Sequence, residues 1–352
     1  MKITDFNFDL PPELIARYPL AKRSASRLLC IEKKQKESFH REFSAVLDML
    51  NNGDLLVFND TKVIPARLMA TKTTGGQVEI LVERILDDER ILAQVRSSKP
   101  LRLGSHLQLA QQQVLEVVDR QNQFYKLRYA SHGNGSILSM IESLGEIPLP
   151  PYMQRTPEDM DKERYQTIYA KHKGSVAAPT AGFHFDDEIM EKFREKNIET
   201  GYLTLHIGAG TFAPVRVESI TEHKMHAEYL EISEDLCEQI IAAKKRGNRV
   251  IAVGTTSLRA LETAAQSGSI QPYHGETSIF IYPGYQFRTA DILITNLHLP
   301  KSTLLMLVCA FGGFDKVMRA YREAVRQAYR FYSYGDVMWI ERDDLTNTGN
   351  RL

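Results

Sequence analysis

The chain has 352 residues, which at roughly 150 per domain makes room for about two domains, and its 44 Lys and Arg balance 44 Asp and Glu to a formal charge of zero. Hydrophobic residues at 43% and charged residues at 25% are ordinary globular values, which excludes a disordered or fibrous chain and a disulfide-stapled miniprotein. With no net charge, any affinity for nucleic acid has to come from a local patch.

The first sixty or so residues mix strand and helix and end in DLLVFNDTKVIPARL, where 55–58 is a buried-strand run closed by the polar turn Asn59, Asp60 and Thr61, and Pro65 breaks any helix. The acids of the amino terminus do not suit a signal peptide, and the longest apolar run, 304–311, has eight residues, so neither secretion nor a membrane span is expected. The three cysteines, Cys30, Cys237 and Cys309, are far apart and form no CxxC pair. The expectation is a cytoplasmic protein.

From about 67 to 150 the texture changes to short β-type segments: QVEILVER, RILAQVRS, HLQLA, VLEVVD and FYKLRYA, separated by polar turns. That spacing predicts a small barrel or sandwich, closed off by the proline-rich GEIPLPPYMQR. Beyond it strands and helices alternate. Residues 186–196 are predicted helical, Ser233 caps EDLCEQIIAAKKR, RVIAVG is a short buried strand, TSIFIYPG and DILITN are further strands, Ser302 caps the apolar TLLMLVCAF, and Asp315 opens a long helix to about Arg330. The fold class expected is α/β, a layered mixed sheet with flanking helices, plus an inserted small β-barrel. The large domain comprises 1–66 and 151–352, and the insertion 67–150.

Several strings carry possible chemistry. The turn Gly254, Thr255, Thr256, Ser257 puts backbone N–H groups, hydroxyls and a helix dipole at one point, with Arg259 just inside the helix; it reads either as an anion site or as a plain helix cap. HIGAGTFAPV has Gly208 and Gly210 after an apolar strand, but Pro214 and β-branched residues follow where a dinucleotide loop must open a helix. These glycines read as close backbone approach to a ligand or second strand, or as a bulge. His223, His226 and Glu228 in HKMHAE match no helical zinc spacing and fit acid/base work or a structural cluster. In APTAGFHF, Gly182 permits close contact, and His184 beside a helix start is either a substrate contact or structural.

The long helix places Lys316, Arg319, Arg322, Arg326 and Arg330 within an arc of about 120° at 100° per residue, interrupted by Glu323. Such a stripe either tracks phosphates or is a solvated face. Tyr329, Phe331, Tyr332 and Tyr334 beside it supply stacking surfaces or core, and Lys171 and Lys173 form a second basic cluster.

Taken together and in order, NDTKVIPARL, GEIPLPPY, ERYQTIYA, AAPTAGFHF, HIGAGTFAPV, HKMHAE, GTTSLRALE, TNLHLPKSTLLMLVCAF and YRFYSYGD resemble, nearly end to end, the S-adenosylmethionine:tRNA ribosyltransferase-isomerases of queuosine biosynthesis. Phe183 and Leu297 depart from the family wording, both as apolar exchanges. The resemblance implies transfer and isomerisation of the ribosyl part of S-adenosylmethionine onto 7-aminomethyl-7-deazaguanine at the tRNA wobble position. The products would be epoxyqueuosine-tRNA, adenine and methionine, with S-adenosylmethionine consumed as substrate, no prosthetic group and no metal. That chemistry needs a base for the ribose carbon attached to sulfur, a proton donor for adenine, a partner for the methionine carboxylate and a surface for the anticodon arm.

On this basis His226 with Glu228 is assigned the base or proton relay, and His184 a catalytic role. Substrate contacts go to Thr180, Gly182, His206, Gly208, Gly210, Thr211, Thr255, Thr256, Arg259, Asn296, His298 and Ser302. The tRNA surface goes to Lys171, Lys173, Arg319, Arg322, Arg326 and Arg330, on a monomer. Two rival readings are a class I S-adenosylmethionine methyltransferase, which the missing helix after GAG disfavours, and a non-catalytic tRNA-binding protein.

Overall fold

The structure is a computed structural model that describes residues 1–130, 135–212 and 217–343, with the side chains of 211 and 212 left out. The chain runs through β1 (Arg27–Ile31), β2 (Phe39–Glu42), α1 (Val46–Met49), β3 (Leu55–Asn59), β4 (Thr61–Val63), β5 (Arg67–Lys72), β6 (Gln77–Ile85), β7 (Arg90–Ser97), β8 (His106–Gln108), β9 (Val114–Gln121), β10 (Phe124–Tyr129) and α2 (Ile137–Leu144). It continues through α3 (Asp159–Arg164), β11 (His172–Ser175), α4 (Asp187–Glu195), β12 (Glu199–His206), β13 (Glu228–Ile232), α5 (Glu234–Lys245), β14 (Val250–Val253), α6 (Thr255–Ala264), β15 (Tyr273–Thr277), β16 (Ile292–Asn296), α7 (Thr303–Gly312), α8 (Phe314–Arg326) and β17 (Val337–Glu341).

Nine strands form one mixed sheet in the order β15-β13-β12-β3-β14-β16-β17-β1-β2. Its central strands are continuous apolar runs because both faces are covered. Successive side chains alternate between two cores. Leu55, Val57, Val250, Ala252 and Leu293 pack beneath α5 to α8, while Leu56, Phe58, Ile251, Val253, Ile294 and Trp339 pack against Phe185, Ile189 and Phe193 on the α4 side. The helix starts follow from local chemistry: Asp186, Ser233 and Ser302 accept hydrogen bonds from the N–H groups of Ile189, Leu236 and Leu305. Because β12, β3, β14 and β16 are mutually parallel neighbours, their carboxyl ends share one edge of the sheet.

Six strands close into a barrel in the order β10-β7-β6-β5-β8-β9. Leu68, Val78, Ile80, Val82, Ala93, Val117 and Leu127 fill it, and Ile137, Met140 and Ile141 of α2 seal the same core. Closure removes the exposed edges that an open sheet of such short strands would present. The α/β sheet, flanking helices and small barrel read from the sequence are all present.

Two sequence expectations need correcting. TSIFIYPG is not a strand: β15 is the preceding YHGET segment, and 278–290 is a loop. Its apolar residues signal burial without pairing, since Ile281 and Phe287 insert into the main core. The long helix also stops at Arg326, not at about Arg330, because Ala328 adopts φ of 51°. Arg330 lies past the end, held by Asp336, which accepts from its backbone N–H (2.8 Å) and its guanidinium (3.3 Å).

Candidate active site

A pocket opens at the shared carboxyl edge of the parallel strands, the position where open α/β sheets bind ligands. Thr255 and Thr256 reach it from the β14–α6 turn, Asn296 and His298 from the end of β16, and Ile207 and Gly210 from beyond β12. Loop 177–181, the segment with His223, Met225, His226 and Glu228, and Tyr332 with Ser333 complete the wall. With Tyr165 of ERYQTIYA, fragments of seven of the strings singled out above therefore converge on one cavity. The β14–α6 turn is sharp because Gly254 takes φ of 94°, a left-handed value open to glycine, and this aims the first N–H groups of α6 at the pocket.

The strongest electrostatic feature is a buried ion pair between Arg259 of α6 and Glu228 at the start of β13, each side chain 5% exposed. The pairing changes the reading of both residues. The Arg259 charge is neutralised within the protein, and its Nε donates to the Ile279 carbonyl at 3.3 Å. Its Nη2, however, is buried without a hydrogen-bond partner while the residue lines the pocket. A buried guanidinium nitrogen of this kind is costly unless an acceptor arrives. It fits an anionic oxygen bound beside the N-terminus of α6.

His184 sits behind the wall. Its Nε2 accepts from the Asn296 amide (3.1 Å) and its Nδ1 meets the Ser26 hydroxyl (2.7 Å), so both ring nitrogens are engaged within the protein. Burial pulls its pKa down to about 3, with the charges of Arg330 and Arg23 acting in the same direction, and the ring is neutral. What it does is orient Asn296. That amide also donates to the Tyr332 carbonyl (3.1 Å), and its oxygen accepts from Thr180 (3.1 Å). His298 lines the pocket, bonded to the Thr295 hydroxyl at 2.9 Å, and burial lowers its pKa to about 3.

The glycines of the HIGAGTF string answer to the protein itself. A Cβ on Gly210 would fall 2.5 Å from the His226 ring, and one on Gly208 would fall 2.2 Å from the Glu83 carboxylate. His226 lies on the pocket wall, with Phe124 of the barrel edge-on to its ring at 6.0 Å between centroids. No barrel residue among the described ones lines the cavity itself.

Other assigned residues lie elsewhere. His206 hydrogen-bonds Thr61 (2.7 Å) and stacks on Tyr229, outside the pocket. Gly182 makes room for the Tyr169 hydroxyl, and Ser302 is occupied in capping α7 and bonding the Leu299 carbonyl (2.7 Å). The side chain of Thr211 lies outside the described residues. Lys171, Arg319, Arg322 and Arg326 are exposed, although Arg326 pairs with Glu323 and Lys173 with Glu142. Among the described residues no three His, Cys, Asp or Glu side chains are grouped to hold a metal ion, and no helix is long and apolar enough to cross a membrane. Sequence reasoning did not assign Tyr165, Met225, Thr295 or Ser333 to the wall, nor Glu83 behind it. The four wall residues all sit inside strings named above, ERYQTIYA, HKMHAE, TNLHLPKSTLLMLVCAF and YRFYSYGD, whereas Glu83 carried no functional signal.

A family model described as queuosine biosynthesis protein matches residues 3–340. Among solved structures, the chain is similar to the crystal structure of S-adenosylmethionine tRNA ribosyltransferase from Thermotoga maritima, with 34% identity over 96% of this chain and 99% of that one and a TM-score of 0.55.

Proposed function

The chain belongs to the queuosine biosynthesis protein family, and on that premise we propose that it is a transferase whose pocket takes S-adenosylmethionine and whose acceptor is the 7-aminomethyl-7-deazaguanine of a tRNA. The observation that carries this reading is the unpartnered, buried Nη2 of Arg259 on the pocket wall. Beside the N–H groups of Thr255 and Thr256, it would receive the methionine carboxylate. The apolar side, with Ala177, Ala178, Ile207, Met225, Leu304 and Tyr332, suits the purine and ribose.

In the reaction His226 takes the proton from the ribose carbon bonded to sulfur, where the sulfonium charge stabilises the carbanion. Adenine then leaves with its bonding electron pair and a proton. In that step the carbanion's pair forms a double bond to the neighbouring carbon as that carbon's bond to the ring oxygen breaks, leaving an aldehyde where adenine was. The acceptor amine adds to the double bond, the carbanion beside sulfur closes the carbocycle on the aldehyde carbon, and the resulting alkoxide displaces methionine, which leaves with the sulfur–carbon pair, to form the epoxide. Glu228 pairs with Arg259 and fixes the guanidinium. Thr180 and Asn296, steadied by His184, form a polar rim. The exposed Lys171, Arg319, Arg322 and Arg326 would meet tRNA phosphates. The same reading treats 67–150 as a domain inserted between 1–66 and 151–352, in a monomeric enzyme acting in the cytoplasm.

The test incubates purified protein with S-adenosylmethionine and tRNA carrying the aminomethyl-deazaguanine, then identifies the small products and the modified nucleoside by mass spectrometry. Adenine, methionine and an epoxycyclopentanediol-bearing nucleoside are expected. S-adenosylhomocysteine would mean methyl transfer, and unchanged cofactor with intact tRNA binding would mean a binding protein; either result sinks the proposal.

A further inference from the structure

Among the described residues the barrel contributes nothing to the pocket wall, yet it grips the segment that carries His226. In the pairing of β6 with β7 the register shifts between Val82 and Arg84, leaving Glu83 as an extra residue. Bulges of this kind re-aim side chains and break the alternation of a strand. Val82 and Glu83 are accordingly buried in succession. The Glu83 carboxylate is 9% exposed and takes a hydrogen bond from the backbone N–H of Gly210. The position of a Gly208 Cβ falls 2.2 Å from its oxygen.

The opposite side of the same loop is filled by the His226 ring, 2.5 Å from where a Gly210 Cβ would be. Arg84, the next residue along the bulge, donates from its Nη2 to the Ala227 carbonyl at 3.0 Å and pairs through its Nη1 with Glu276 of β15. Phe124 of β10 completes the grip on the imidazole. Three barrel side chains thus contact the loop and segment that hold His226.

We propose that Glu83 and Arg84 are positioning residues for His226, so that docking of the barrel completes the catalytic centre without touching substrate. The inference rests on His226 being the base. Burial raises the Glu83 carboxyl above the ordinary range, while the Gly210 N–H and, more weakly, the His226 ring across the loop favour its ionised form. Neither residue makes a contact that binding of S-adenosylmethionine would need.

The full-length enzyme tests this with Glu83→Gln, Arg84→Met and Arg84→Lys, measuring kcat, the KM for S-adenosylmethionine and the melting temperature. For Glu83→Gln we expect kcat to fall about 10- to 100-fold, as small misplacements of a catalytic group do. KM should be unchanged. Arg84→Lys should retain more turnover than Arg84→Met. In a His226→Ala background neither Glu83→Gln nor Arg84→Met should cause a further loss. Wild-type kcat in Glu83→Gln, or an undiminished further loss in the His226→Ala background, overturns the positioning role. Full turnover by His226→Ala alone would instead identify the base assignment as the step that failed.

Discussion

Glu228 and Arg259, 31 residues apart in the chain, meet as a buried ion pair that forms one wall of the pocket and leaves a guanidinium nitrogen available to a ligand. A buried pair contributes little net stability relative to well-packed apolar residues, whereas removing one partner leaves an uncompensated charge. Arg259→Ala should therefore destabilise the fold by about 3–5 kcal/mol. The double variant Glu228→Leu with Arg259→Met should recover most of that stability and still fail to bind S-adenosylmethionine. Chemical unfolding and calorimetric titration separate the two effects; a double variant that binds normally would show that the pair serves structure alone.

His226→Ala should lower kcat by roughly 10²- to 10⁴-fold, the ordinary contribution of a positioned base, with the affinity for S-adenosylmethionine changed less than threefold. Single-turnover release of adenine is the direct measure.

The neutral, buried His184 and His298 make stability depend on pH. Their folded pKa values, both about 3, lie below the unfolded value near 6.5, so below that value the unfolded chain binds protons that the folded one refuses. Their stabilising contribution is complete above about pH 6.5 and is lost progressively as pH falls towards 3, at up to about 1.4 kcal/mol per pH unit for each ring. Urea midpoints measured between pH 7 and pH 4.5 should fall, and His298→Gln should flatten that dependence. A variant with the same slope as the wild type would count against the burial argument.

Gly210→Ala would drive a methyl group into the His226 ring. Overpacking of this kind costs about 1–3 kcal/mol, and here it displaces the base, so the melting temperature should drop modestly and kcat steeply. Equal, small losses in both would place the His226 ring outside the chemistry.

Charge reversal separates the two kinds of arginine in the basic stripe. Arg322→Glu should weaken tRNA binding and lower the salt slope by about one without changing the melting temperature. Arg330→Glu removes the partner of the buried Asp336 and should lower the melting temperature instead. Filter binding across a salt series, paired with thermal unfolding, reads both.

Much of the molecule is written in local patterns. Apolar runs such as VIAV announce strands buried on two faces, Ser233 and Ser302 announce helix starts, and closely spaced short strands announce the barrel, because periodicity and capping act over a few residues. The family strings are likewise contiguous stretches and needed no structure to read. The roles within those strings were decided by the fold. Whether Glu228 faces His226 or Arg259, whether His184 meets substrate or holds Asn296, and whether Arg330 continues a helix or answers Asp336 all depend on neighbours brought together by strand pairing and packing. Glu83 could not be found at all from its own surroundings in the chain. QVEILVER reads as an ordinary alternating strand, and only the register shift against β7, together with the glycine loop that packs over it, turns that carboxylate towards the catalytic segment.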